Sequence, residues 1–113
     1  MSSRRIEKVS ALLQREISNL LNQDLVENYG IITVSSVEVT ADLKDAKIYI
    51  SVLNQENENL VLEKLERSRV QYQKILGRKL KLRQTPRLEY LIDHFQEKVN
   101  NVEKLLKEIN HGS

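Results

Sequence analysis

A single α+β domain is the fold that this sequence of 113 residues predicts. Three observations carry the prediction. Apolar residues recur at helical spacing near the amino terminus and again from residue 60 onward. Between those stretches a β-branched segment alternates with period two, and the one proline, Pro86, stands just before a further alternating run.

The first helix is expected to start at a cap on Ser2 or Ser3 and to end between residues 22 and 28. Ile6, Val9, Leu13, Ile17 and Leu20 form its apolar line, widened by Leu12 and Leu21. At about 100° per residue, Arg4, Lys8, Ala11 and Arg15 fall nearly opposite, so one face is core and the other cationic.

Residues 31–53 read as two antiparallel strands joined by a turn at residues 42–45. In the first, Thr33, Ser35, Val37 and Val39 are expected to face inward, with Val34, Ser36, Glu38 and Thr40 outward. In the second, Ala46, Ile48, Ile50 and Val52 face inward, with Lys47, Tyr49 and Ser51 outward, as in a sheet covered on one face.

After a polar loop at residues 54–59, the helical period resumes through Leu62, Leu65, Tyr72, Leu76 and Leu80. One straight helix here would turn Arg69 into the apolar arc and Val70 out of it, so a break is expected near residues 68–70. Arg67, Gln71, Lys74 and Arg78 follow at i, i+4, i+7 and i+11, a second cationic stripe. Gly77 costs a helix roughly 1 kcal/mol relative to Ala, which points to close packing or to a helix end.

Pro86 blocks further helix, so Leu88, Tyr90 and Ile92 become the inward face of a third strand. Asp93 then caps a last helix with Phe95, Val99, Val102, Leu106 and Ile109 on one face and mixed charges elsewhere, which assigns it to packing. The domain is expected to span residues 1–109, with 110–113 a short disordered tail.

The net charge of +2 conceals a strong asymmetry. Residues 1–66 hold seven basic and eleven acidic side chains, residues 67–87 hold eight and none, and residues 88–113 hold three and five. A solvated helix face normally interleaves glutamate with lysine; a run without any carboxylate instead makes a local positive field suited to a polyanion.

Catalytic and cofactor signatures are missing. There is no cysteine, and His94 and His111 have no partner at metal-ligand or catalytic spacing. With glycines only at 30, 77 and 112, no phosphate-binding glycine loop can be written. Asp42 and Asp45 occupy a turn, and Glu63 and Glu66 flank Lys64 on a helix, so neither pair signals acid–base chemistry. No stretch approaches the roughly 20 apolar residues of a membrane span, nor does a signal core follow Arg4, Arg5, Lys8 and Arg15, so the chain is read as soluble and unprocessed, with no membrane partner.

The order helix, strand, strand, helix, helix, strand, with a basic helical pair and no catalytic residues, is that of a type II KH-like domain. Residues 76–88 (LGRKLKLRQTPRL) and 37–53 (VEVTADLKDAKIYISVL) resemble the ribosome-binding factor A family of bacterial small-subunit assembly factors, with weaker likeness over residues 4–21 and 93–109. The resemblance implies a noncatalytic, cytoplasmic factor that needs no cofactor. It implies binding to the immature small ribosomal subunit and its ribosomal RNA in late maturation and end processing, with particular importance at low temperature. Functional links to other assembly factors, including assembly GTPases, are implied too, and a monomer is the default. In the family a helix-kink-helix centred on Ala-x-Gly replaces the usual KH Gly-x-x-Gly loop; it aligns with Ser68, Arg69 and Val70, where this sequence departs at both key positions.

The residues assigned to phosphate contacts are Arg4, Arg5, Lys8 and Arg15 on the first helix, with Arg67, Arg69, Lys74, Arg78, Lys79, Lys81, Arg83 and Arg87 around the second. Tyr72 and Tyr90 are the only aromatics near them and are expected inward, so RNA shape and backbone rather than bases would be read. The alternative is an adaptor docking on ribosomal or other proteins through the strand edge or last helix. A small nuclease would need an acid–base or metal constellation that cannot be assembled here.

Overall fold

The computed structural model describes residues 3–93. Helix α1 (Ser3–Tyr29) leads into strands β1 (Ile32–Val39) and β2 (Asp45–Val52); a 3-10 turn (Gln55–Asn57), helix α2 (Glu58–Leu80) and strand β3 (Arg87–Ile92) follow. This is an α+β, KH-like architecture. The expected last helix, the tail, His94 and His111 lie outside the described residues.

The sheet order is β1-β2-β3, with β1 antiparallel to β2 and β2 parallel to β3. The parallel pair follows from α2, a crossover that returns the chain to the end of the sheet at which β2 begins, so that β3 starts level with it. Both helices cover one face. Leu13, Ile17, Leu21 and Leu25 of α1 and Val61, Leu65, Tyr72 and Leu76 of α2 are buried with Ile32, Val34, Ala46, Ile48, Ile50, Val52, Leu88 and Tyr90. Each fully buried Leu, Ile or Val contributes about 1.5–3 kcal/mol relative to exposure.

Helix α1 is longer than expected. Ser3 lies within it, and it ends at Tyr29, where Gly30 at φ +78° donates its N–H to the Val26 carbonyl at 3.1 Å. Its buried seam runs through Leu21 and Leu25, leaving Leu20 half-buried.

Strand β1 departs from simple alternation. Val34 pairs with Ile50 and Ser36 with Tyr49, so Ser35 is skipped as a β-bulge. The extra residue reverses the phase: Ile32 and Val34 are buried while Thr33 and Ser35 are exposed, the opposite of the expected inward set. Beyond the bulge Val37 and Val39 pack on the core as expected. Gln14 of α1 donates to the Val34 and Ser35 carbonyls at 3.2 and 3.4 Å, satisfying backbone acceptors at the irregularity. Strands β2 and β3 present the inward residues expected of them.

The break expected at residues 68–70 does not interrupt α2. Ser68, not Arg69, takes the buried position between Leu65 and Tyr72. Its small side chain fits, Arg69 leans out to Glu66, and Val70 stays exposed. With valine at the end of this element, no residue supplies the φ freedom that would favour a sharp turn.

Candidate nucleic-acid interface

Two side-chain ties fix how the helices lie. Lys79 Nζ stands 3.1 Å from Glu16 Oε2, and the Tyr72 hydroxyl donates to Asp24 Oδ2 at 3.0 Å. Partners that descend along α2 as they ascend along α1 make the helices antiparallel, with the end of α2 beside the middle of α1 at Glu16 and the amino-terminal turns of α1 continuing beyond it in the same direction.

That end of the molecule is cationic. Arg4, Arg5 and Lys8 are exposed on the first turns of α1, and Arg15 is exposed one helical stretch farther along. Arg67, Lys74 and Arg78 are exposed along the outer face of α2, with Gln71 and Val70 among them. Lys81 and Arg83 are exposed in the link to β3.

Local geometry sets that link. Lys81 adopts the left-handed conformation (φ 52°, ψ 42°), and the Lys81 and Leu82 N–H groups both donate to the Gly77 carbonyl. A Cβ on Gly77 would run into the Thr85 hydroxyl, so this glycine serves close approach of the link to the helix. Pro86 is buried, and the Arg87 N–H donates to the Lys44 carbonyl at 2.8 Å.

The expected cations are not equivalent. Arg69 is half-buried and pairs with Glu66 at 2.7 Å. Arg69 and Arg87 line a cavity of about 350 Å³ together with Asp45, Glu66, Leu88 and Glu89, so three carboxylates offset the two guanidinium groups. Lys79 is exposed but engaged by Glu16, whose side chain is only 13% exposed. The Lys79 ammonium holds the Glu16 carboxyl below its ordinary range against the opposing effect of burial, and Arg15, 3.4 Å away, adds to the lowering. The cations left facing solvent without a carboxylate partner among the described ion pairs include Arg5, Lys8, Arg67, Lys74, Arg78, Lys81 and Arg83.

Lys44 was missed by sequence reasoning. It is exposed in the β1–β2 turn beside the start of β3. Its neighbours Asp42 and Asp45 disguised it as part of an acidic turn. The Thr40 hydroxyl and the Lys44 N–H both donate to Asp42 Oδ1, holding that carboxyl below its usual range.

The tyrosines of α2 and β3 are unavailable for stacking. Tyr72 is buried, and burial together with the Asp24 carboxylate pushes its hydroxyl up to about 12. Tyr90 is also buried, which raises its hydroxyl strongly, and that oxygen has no hydrogen-bond partner among the described residues. Among the described residues no group of three or more His, Cys, Asp or Glu could hold a metal ion, and no helix is long and apolar enough to cross a membrane.

Comparison with known proteins gives a consistent result. The family model for ribosome-binding factor A matches residues 5–106. The ribosome-binding factor A of Chlorobium phaeobacteroides is 39% identical over 108 residues, covering 93% of this chain and 93% of its own. That of Macrococcus caseolyticus is 37% identical, with 96% of each chain covered. The crystal structure of the Thermus thermophilus factor superposes with a TM-score of 0.69 at 23% identity, over 77% of this chain and 94% of that one. Coordinates of the same factor fitted into a cryo-EM map of its 30S complex give a TM-score of 0.64 at 24% identity, over 74% of this chain and 90% of that one. A family match spanning most of the chain, with relatives this similar over nearly their whole length, places the protein in the ribosome-binding factor A family.

Proposed function

We propose that this protein binds the immature small ribosomal subunit through the phosphates of its ribosomal RNA and assists late maturation and RNA end processing, with its greatest importance at low temperature. Its family is one of ribosome-binding factors, not of enzymes. The observation that carries the RNA reading is the cationic end, toward which the amino-terminal half of α1 and the end of α2 both point, and where a stretch of 21 residues (67–87) contains eight Lys or Arg and no carboxylate. The fitting of the T. thermophilus relative into a map of its 30S complex supports the choice of subunit.

Lysine and arginine on phosphates set register and orientation without reading sequence. With Tyr72 and Tyr90 buried, the described tyrosines beside this surface offer no stacking platform, which favours recognition of a folded RNA backbone. Such a factor promotes maturation only by binding one subunit conformation more tightly than another, since equal affinity shifts no equilibrium. The same reading has the protein act as a monomer in the cytoplasm beside other assembly factors, assembly GTPases among them.

The test is co-sedimentation with immature and mature small subunits across a salt series, for the natural protein and for Arg67→Glu/Lys74→Glu/Arg78→Glu. The expected result is salt-sensitive binding that prefers one form. The variant should flatten the log–log salt slope by about 0.7–0.9 per lost phosphate contact, or about 2–3 for all three. An unchanged slope removes this stripe from the interface, and no binding to either form defeats the ribosomal reading.

A further inference from the structure

The opposite end of the molecule has the reverse character. Five large hydrophobic residues are exposed among the described residues, and four of them lie there: Val26 (41%), Ile31 (56%), Leu53 (75%) and Leu60 (53%). They ride on a fixed frame. The Leu53 N–H donates to the Ile31 carbonyl at 3.1 Å, the Gly30 N–H donates to the Val26 carbonyl, and Asn57 Nδ2 donates to the Tyr29 carbonyl at 3.2 Å. The end of α1, the start of β1, the end of β2 and the start of α2 are thereby held as one surface.

Its charge is equally one-sided. The two stretches that build it, residues 22–31 and 53–63, contain Asp24, Glu27, Glu56, Glu58 and Glu63 and no lysine or arginine, and the nearest base, Lys64, one turn beyond Leu60 on α2, leaves the carboxylates in excess. The partial negative charge at the carboxyl end of α1 is offset by the partial positive charge at the start of α2, so the carboxylates set the sign of this end.

We propose that this acidic, apolar end is a second docking surface, and that its occupant is a lysine- or arginine-rich protein segment carrying aliphatic anchors. The exposed aliphatics supply the desolvated centre and the carboxylates a complementary rim. The charge decides among occupants. Nucleic acid and anionic lipid are repelled by five carboxylates, and a second copy presenting the same end meets like charge. The chain's own residues 94–113 carry Glu97, Glu103 and Glu108 against Lys98, Lys104 and Lys107, so they bring no net positive charge to the site. The surface is separate from the RNA-binding end, and its use does not depend on that reading.

The experiment is an amide-shift titration of the isotope-labelled full chain with a synthetic amphipathic peptide of lysine and leucine. Two control peptides replace its lysines with glutamate or its leucines with serine. The expected result is saturable shifts centred on Val26, Ile31, Leu53 and Leu60, no binding of the glutamate peptide, and about tenfold weaker binding of the serine peptide, the size of one or two lost aliphatic anchors. Leu53→Lys/Leu60→Lys, both at exposed positions, should keep a dispersed spectrum and lose about tenfold or more in affinity. The proposal is overturned by absence of binding, by shifts scattered over other carboxylates, or by equal binding of the serine peptide or the double variant. It is overturned in favour of self-association by concentration-dependent shifts at these residues without peptide. A peptide response that appears only after removal of residues 94–113 overturns it in favour of the chain's own carboxyl-terminal segment.

Discussion

Helices α1 and α2 lie antiparallel on the same face of the sheet, yet they treat their own dipoles in opposite ways. Helix α2 begins with Glu58 in its first turn and ends with Arg78 and Lys79 in its last, the arrangement that complements the partial charges of a helix. Helix α1 begins with Arg4 and Arg5, has no acid in its first turn, and ends with Glu27 and no base in its last. Each misplaced charge costs about 0.3–1 kcal/mol at an exposed terminus. Stability alone accounts for α2. The ordering in α1 opposes stability and instead adds to the polarity of the molecule, with positive charge gathered at one end and negative at the other. A local rule broken at a surface is where function is expected to override folding.

The largest effect should come from α2. Gly77→Ala gains helix propensity of about 1 kcal/mol, but its Cβ meets the Thr85 hydroxyl, and overpacking of this kind costs about 1–3 kcal/mol. Net destabilisation of about 1 kcal/mol is expected in denaturant titration, with weaker subunit binding because the Gly77 carbonyl anchors the turn that carries Lys81. In a Thr85→Ala background the same change should turn stabilising; destabilisation in both backgrounds would place the cost elsewhere.

A smaller and more diagnostic effect is expected from α1. Arg5→Glu puts an acid in the first turn, so thermal stability should rise by about 0.3–1 kcal/mol while subunit affinity falls. Movement of both quantities in the same direction would end the contrast between the helices.

The smallest effect concerns the tie between them. The Glu16 carboxyl is held below its ordinary value of 4.5 chiefly by Lys79. A group with a depressed folded-state value contributes stability that is present above the unfolded value and lost as pH falls through the folded one. Glu16→Gln should therefore flatten the loss of stability on acidification below pH 4.5, and Lys79→Met should flatten it likewise. An acid limb unchanged in both variants would show that Glu16 and Lys79 do not couple the helices.

Much of this architecture was legible because its signals are local. The inward faces of β2 and β3, the amphipathic α1 and the carboxylate-free stretch 67–87 each follow from spacing along the chain. β1 was misread over its first half because one unpaired residue, Ser35, reverses the face of every residue before it, and the Gln14 amide that supports the bulge comes from another element. The break at residues 68–70 was expected because a helical wheel placed Arg69 among apolar residues. The true seam passes through Ser68, a polar residue that pattern reading does not count as core.

The class of fold, the order of the described elements apart from the expected break in α2, and the location of the positive charge were legible along the chain, because period and composition are properties of neighbours in sequence. The tertiary structure decided which cations are paired. Glu66 pairs with Arg69 and Glu16 with Lys79, Arg87 shares a cavity with Asp45, Glu66 and Glu89, and Lys44 joins the cationic end from an acidic turn. It also decided that aliphatics at 26, 31, 53 and 60, scattered in sequence among acids, share one end. Charge pairing and surface continuity depend on distance in space, and for these residues that distance is set by the antiparallel helices and the sheet beneath them.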